Sequence, residues 1–83
     1  EKNIVLDLNN VEYCDSSGLS AILQGNRFCK SSNGTFVICG VKDTVQKIIS
    51  ISQLDKVLTI TPTLNEAVDL VHMDEVERDL MNE

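Results

Sequence analysis

The sequence lacks any long hydrophobic run. Among its 83 residues no apolar stretch approaches the roughly 20 that a membrane-spanning helix needs, and the N-terminus shows no signal-peptide pattern. Positive charge is also scarce, because 7 Lys and Arg stand against 13 Asp and Glu, giving a net charge of −6. This balance argues against nucleic acid or an anionic membrane surface as the main partner, and it permits a partner with a basic face.

The residue patterns of common catalytic and metal sites are missing as well. The three cysteines, Cys14, Cys29 and Cys39, show neither paired disulfide spacing nor a C-x-x-C pattern, which fits a reducing cytoplasm. His72 is the only histidine, and no cluster of cysteines and carboxylates stands with it at ligand spacing. We therefore expect a cytoplasmic protein with no metal, no cofactor and no catalysis of its own.

The remaining composition is that of one small globular domain. Hydrophobic residues make up 42% of the chain and charged residues 24%, without a low-complexity segment. At 83 residues the chain is near the small end for a self-sufficient core. It opens without a methionine and almost at once into a strand, so we expect it to be the later part of a longer domain.

Three strand-helix pairs follow one another along the chain. Apolar runs predict strands at residues 4–8, 36–39 and 57–60. The first helix is expected from Ser17, with a buried stripe of Leu19, Ile22, Asn26 and Cys29, Leu23 beside it, and an end at residues 31–34 where Gly34 supplies positive φ. Such an alternation predicts parallel strands with helices packed on the sheet.

Two further helix starts are predicted from capping patterns. Asp43 with Gln46 predicts an N-cap before a helix that turns Val45, Ile48 and Ile49 inward. Residues 63–66, Thr-Leu-Asn-Glu, form a capping-box pattern for a last helix that buries Leu64, Val68 and Val71. Val11 and Tyr13 are expected to hold the first loop against the core.

The turn between the first strand and the first helix is the candidate site. It reads Asp15-Ser16-Ser17-Gly18-Leu19, which places hydroxyls beside the free N–H groups of a helix start. Because an aspartate precedes the serines, the turn suits a phosphorylation switch better than a permanent anion pocket. For Asp15, helix capping and a functional role are equally open. Ser17 is expected to help the helix begin, and Gly18 to permit a close approach.

These residues resemble the STAS domain, and in particular the bacterial anti-sigma factor antagonists. The resemblance begins at residues 4–23 and continues through Gly34, the strand at 36–39, the helix at 45–49 and the corner at 52–54. It implies a mixed sheet with amphipathic helices packed on it. The family's N-terminal strands and first helix would be absent, so residues 1–83 would be the C-terminal portion of one domain, with 74–83 as the charged end of its last helix.

The resemblance also implies a function. Family members bind an anti-sigma factor, often a serine kinase of the histidine-kinase-like ATPase type, and so release a sigma factor for transcription. Phosphorylation by that kinase maps onto Ser16 and ends binding, and a PP2C-like phosphatase restores it. The residues expected to contact the partner are Asp15, Ser16, Ser17, Gly18, Leu19, Gln24, Arg27 and Phe28. Dimer formation or strand exchange between copies stays open.

Three departures and two alternatives accompany this reading. Ser20 and Gln53 stand where many members have glycine, and the last helix runs into a charged stretch at 74–83. The first alternative is a STAS scaffold in an anion transporter or a lipid-transport complex, without sigma regulation. The second is a small hydrolase using Ser16, which lacks the G-x-S-x-G spacing of a nucleophile elbow.

Overall fold

The computed structural model describes residues 3–81, which form a three-layer α/β fold. In chain order the elements are β1 (Ile4–Asp7), α1 (Ser16–Ser31), β2 (Phe36–Cys39), α2 (Asp43–Ile51), a 3-10 turn (Leu54–Lys56), β3 (Thr59–Thr61) and α3 (Leu64–Met81). The described strands pair in parallel in the order β1-β2-β3. The parallel pairing predicted from the strand-helix alternation is confirmed.

The alternation of side chains along β2 divides the core between the two faces of the sheet. Phe36 and Ile38 face α1 and α2, in a cluster with Ile22 and Ile49. Val37 and Cys39 face the other way and pack with three residues of α3, Ala67, Leu70 and Val71. Because β2 is fully enclosed between helices, its four residues are all buried, as expected for the central strand of a parallel sheet.

The strand limits differ slightly from the prediction. β1 ends at Asp7, although Leu8 beyond it is buried. β3 covers Thr59–Thr61, whereas Val57, predicted to begin it, is 47% exposed. The predicted apolar run at 57–60 contributes Leu58 to the core before pairing begins.

Two details of the helix ends were predicted wrongly. Asp43 is the first residue of α2 and Lys42 is its N-cap, without a side-chain capping bond, so Asp43 acts through its charge in the first turn. At the end of α1, Asn33 rather than Gly34 takes the left-handed conformation, with φ 58°. The Asn33 and Gly34 N–H groups donate to the carbonyls of Lys30 and Cys29, as in a Schellman motif.

Helix α3 begins as predicted but turns a different face to the sheet. The N–H of Glu66 donates to Thr63 Oγ1 at 3.3 Å, which confirms Thr63 as the capping side chain. Leu64 and Val68, predicted to be buried, are 47% and 51% exposed, whereas Val71 packs against the sheet as predicted. The buried position is Ala67, because its small side chain lets the helix approach the sheet closely.

We expect the end of α2 to be stabilised by Gln53→Gly. Gln53 has φ 61°, a conformation that favours glycine, so the substitution should raise the free energy of unfolding by about 0.5–1 kcal/mol. Urea unfolding followed by circular dichroism measures the change. Asn33→Gly is the matched control, because asparagine tolerates positive φ, and its gain should be smaller. A loss of stability for Gln53→Gly would contradict the prediction.

Candidate partner-binding site at the start of helix α1

The loop from β1 to α1 is anchored to the carboxyl end of the sheet. Leu8 N donates to Cys39 O at 2.9 Å, and Val11 N donates to Leu8 O at 3.0 Å. Val11 packs against the core, as predicted. Tyr13 does not, because its side chain is 70% exposed in the same loop. The loop is therefore held by backbone bonds, by the core contacts of Val11 and Cys14 and by the 3.4 Å ion pair of Glu12 with Lys42, and it presents Tyr13 to solvent.

Asp15 is the N-cap of α1. Its backbone is extended, with φ −96° and ψ −173°, and its Oδ1 accepts a hydrogen bond from Gly18 N at 3.0 Å. This geometry establishes the capping role for Asp15. Ser16 and Ser17 are the first two helical residues and both are exposed. Their N–H groups belong to the first turn, which has no intrahelical acceptors.

Gly18 allows the buried Cys14 to lie under the first turn of α1. A Cβ on Gly18 would stand 2.7 Å from Cys14 Sγ, closer than nonbonded atoms approach, so the prediction of a close approach is confirmed. Burial raises the pKa of the Cys14 thiol, and the neighbouring Asp15 carboxylate raises it further. The thiol is therefore protonated at neutral pH and acts as a packing group.

We expect Gly18→Ala to destabilise the domain by about 1–2 kcal/mol, because overpacking outweighs the better helix propensity of alanine. The measurement is urea unfolding of wild type, Gly18→Ala, Cys14→Ala and Cys14→Ala/Gly18→Ala. With Cys14 Sγ removed, adding the alanine methyl at position 18 should be neutral or stabilising. An equal loss in both backgrounds would show that the contact with Cys14 is not the cause.

The outer face of α1 brings most of the predicted contact residues together. At about 100° per residue, Ser16, Ser17, Gln24, Arg27 and Phe28 all point away from the buried stripe of Ile22, Asn26 and Cys29. Phe28 is 53% exposed, as expected for a contact residue. We call these five exposed residues the α1 surface.

Leu19 differs from the α1 surface, and the prediction missed three exposed neighbours. Leu19 is half-buried and packs against the core cluster, so it seats the helix on the sheet. Ser20 and Ala21 are exposed and lie between the two ends of the α1 surface. Their helical spacing from Ser17 and Gln24 was the signal that could have found them. Tyr13 extends the surface into the loop.

In the described part of the chain, neither the histidine nor a cluster of metal ligands lies beside Ser16. His72, which is exposed, belongs to α3 on the opposite face of the sheet from α1, so it cannot act as a base for Ser16. Within residues 3–81, no three His, Cys, Asp or Glu side chains are grouped to hold a metal ion. A shallow depression near the carboxyl ends of the strands is lined by Val41, Gln46, Ile60, Thr61 and Pro62, none of which is an acid or a base.

In the described part of the chain, none of the helices combines the length and the apolar character that a transmembrane span requires.

The comparison with known families identifies the fold. The STAS domain model matches residues 1–67. The chain belongs to the STAS domain family. The crystal structure of a Thermotoga maritima protein, provisionally titled an anti-sigma factor antagonist, superimposes with a TM-score of 0.79 at 31% sequence identity, covering 82% of this chain and 58% of that one. The fold predicted from the resemblance is therefore confirmed.

Two relatives are also similar to this chain in sequence. The anti-sigma F factor antagonist of Paenibacillus polymyxa is 34% identical over 59 residues, which are 71% of this chain and 50% of the relative. A Thermotoga maritima relative, provisionally named an anti-sigma factor antagonist, is 33% identical over 68 residues, 82% of this chain and 60% of its own length. This STAS chain thus spans about half to three fifths of the length of the relatives it matches.

Proposed function

We propose that this STAS chain is the partner-binding portion of an anti-sigma factor antagonist, switched by phosphorylation of Ser16. The observation that carries the proposal is that Asp15, and not Ser16, provides the capping side chain of α1. Asp15 caps the helix through its bond to Gly18, so the exposed Ser16 hydroxyl is not needed for capping. A kinase can modify that hydroxyl without removing a bond that the fold requires.

A phosphate on Ser16 would change binding much more than folding. It adds a charge of about −1.5 to −2. Its interaction with the helix N-terminus is favourable by about 1 kcal/mol, and the Asp15 carboxylate repels it. Arg27 points in nearly the same direction as Ser16, but eleven residues of helix separate them by about 16 Å, too far for an ion pair. The residues three and four positions on, Leu19 and Ser20, are not basic. No basic side chain of α1 would therefore neutralise the phosphate, and Lys42 of the neighbouring α2 is already paired with Glu12 at 3.4 Å.

The proposed partner is an anti-sigma factor that covers the α1 surface. It is a serine kinase of the histidine-kinase-like ATPase type, and sequestering it releases a sigma factor for transcription. An unneutralised dianion enclosed in this interface costs several kcal/mol. About 5.5 kcal/mol of differential affinity converts a mostly bound complex into a mostly free one. Removal of the phosphate by a PP2C-like phosphatase would restore binding.

The experiment that tests this function is affinity capture from extract of the organism that encodes the chain. Wild-type, Ser16→Ala and Ser16→Asp chains serve as bait, and mass spectrometry identifies the captured proteins. We expect wild type and Ser16→Ala to retain an ATPase-fold kinase that Ser16→Asp loses. Retention of one membrane transport component by all three chains would instead support the scaffold function.

A further inference from the structure

The charge of the chain is concentrated in α3. Within Leu64–Met81 there are six acidic residues and one arginine, a net charge of −5. Residues 3–63 contain five acidic and five basic residues and are neutral. The STAS family match ends at residue 67, so most of this acidic helix lies beyond the part that the family model matches.

Helix α3 also carries apolar side chains on its outer face. Met73, Val76 and Leu80, which we call the outer stripe, are 59%, 45% and 65% exposed. Their i, i+3, i+7 spacing places them on one side of the helix. At about 100° per residue, that side lies roughly 140° from the stripe that packs on the sheet through Ala67, Leu70 and Val71.

A polar network holds the second half of α3 in this orientation. Arg78 donates to Thr35 Oγ1 at 2.9 Å and to Asn3 Oδ1 at 3.2 Å. The Thr35 hydroxyl donates to Asp74 Oδ2 at 3.2 Å, and Asn3 Nδ2 donates to Glu75 Oε1. These bonds join α3 to the residues just before β1 and β2. The outer stripe therefore faces solvent because the opposite side of the helix is bonded to the sheet.

We propose that the outer stripe is a second docking surface, and that it binds a basic amphipathic helix of a partner protein. Charge complementarity selects this occupant, since the exposed Asp69 and Glu77 border the apolar side chains. An apolar stripe flanked by charges is typical of one helix in a packed helix pair, in which the partner helix supplies the opposite charges. A second copy of α3 would bring acid against acid and is disfavoured.

The surface is separate from the α1 surface. α3 covers the opposite face of the sheet, and its network with Asn3 and Thr35 lies at the amino ends of the strands. Ser16 follows β1 and lies toward the carboxyl ends. Two partners can therefore bind one chain at the same time, one on each surface. The proposal goes beyond the Ser16 switch and does not depend on it.

The test uses three fluorescein-labelled 15-residue peptides with the full 83-residue chain. One peptide is an amphipathic helix with a leucine stripe flanked by lysines, the second has glutamate at each lysine position, and the third is a scramble of the first. Fluorescence anisotropy measures binding. We expect the lysine peptide to bind at least tenfold tighter than its scramble, and the glutamate peptide not to bind.

Matched variants then locate the binding. The affinity for the lysine peptide should fall at least tenfold in each of two double variants, Val76→Gln/Leu80→Gln and Asp69→Asn/Glu77→Gln. Val68→Gln, which alters an exposed apolar residue on another side of α3, should change it less than twofold. All these positions are exposed, and circular dichroism melting confirms that each variant is folded.

Several results would overturn the proposal. They are absence of binding, equal binding of the scramble, or undiminished affinity in Val76→Gln/Leu80→Gln. Sedimentation of the chain alone supplies another, since a dimer abolished by Val76→Gln/Leu80→Gln would assign the outer stripe to a second copy. Ser16→Asp should leave the peptide affinity unchanged, and a tenfold effect would contradict the separation of the two surfaces.

Discussion

A Ser16→Asp chain is expected to bind the proposed anti-sigma factor at least about 100-fold more weakly than wild type, a difference of about 2.7 kcal/mol. The added carboxylate would stand beside Asp15 within the proposed contact area. Arg27, on the same side of α1, is about 16 Å away and cannot neutralise it. Isothermal titration calorimetry with the purified partner measures the change. Ser16→Ala should bind within threefold of wild type, because the Ser16 hydroxyl is not the capping group.

The control for this prediction places the same charge one residue later. Ser17 is exposed on the same first turn, so Ser17→Asp tests whether any acid at the helix start is enough. We expect a loss of less than tenfold for Ser17→Asp. The melting temperatures of both variants should stay within about 3 °C of wild type, less than 1 kcal/mol for a domain of this size. Binding by Ser16→Asp within threefold of wild type would reject the Ser16 switch.

Gly40→Ala is expected to destabilise the domain by about 2–4 kcal/mol. Gly40 has φ 65°, where an L side chain costs about 1–2 kcal/mol. Its Cβ would also meet Asp7 Oδ1 at 2.9 Å and Asn9 Cβ at 3.2 Å, and such overpacking typically costs about 1–3 kcal/mol. This contact joins the end of β2 to the loop that leads to Ser16. Urea unfolding measures the lost free energy, and a thermal melt should show a melting temperature at least about 8 °C lower.

A second substitution at the same position separates the two causes. Gly40→Asn places a Cβ at the same point, but asparagine adopts positive φ at lower cost than alanine. We expect Gly40→Asn to be about 1 kcal/mol more stable than Gly40→Ala. Equal losses would assign the whole effect to the contacts with Asp7 and Asn9. A loss below 1 kcal/mol for Gly40→Ala would contradict the prediction.

The sequence pattern was most informative where one helix face is apolar. The spacing of Ile22, Asn26 and Cys29 predicted the buried side of α1, and the structure confirms it. In α3, apolar residues occur on several sides of the helix, so periodicity could not select the inward face. The sheet selects Ala67, because a small side chain permits the closest packing. Tyr13 shows the same limit, since an aromatic residue in a loop can equally be exposed.

The site was predictable as a position in the chain, but its geometry was not. The strand-to-helix turn and its serines were visible in the sequence, and the exposed α1 surface followed from helical spacing. For Asp15 the sequence left capping and a functional role equally open, and the 3.0 Å bond to Gly18 establishes the capping. The contact between Gly18 and Cys14 could be expected only as a close approach of unspecified partners.

By itself the sequence determined the order of strands and helices, their parallel pairing and the capping of α3 by Thr63. The elements and the cap depend on residues close together in the chain, through periodicity and capping, and the parallel pairing follows from the alternation of strands and helices. The tertiary structure decided which side of α3 faces the sheet, and it joined Arg78 to Thr35 across 43 positions. Such contacts depend on how whole elements pack, which is why the outer stripe of α3 became clear only in the folded chain.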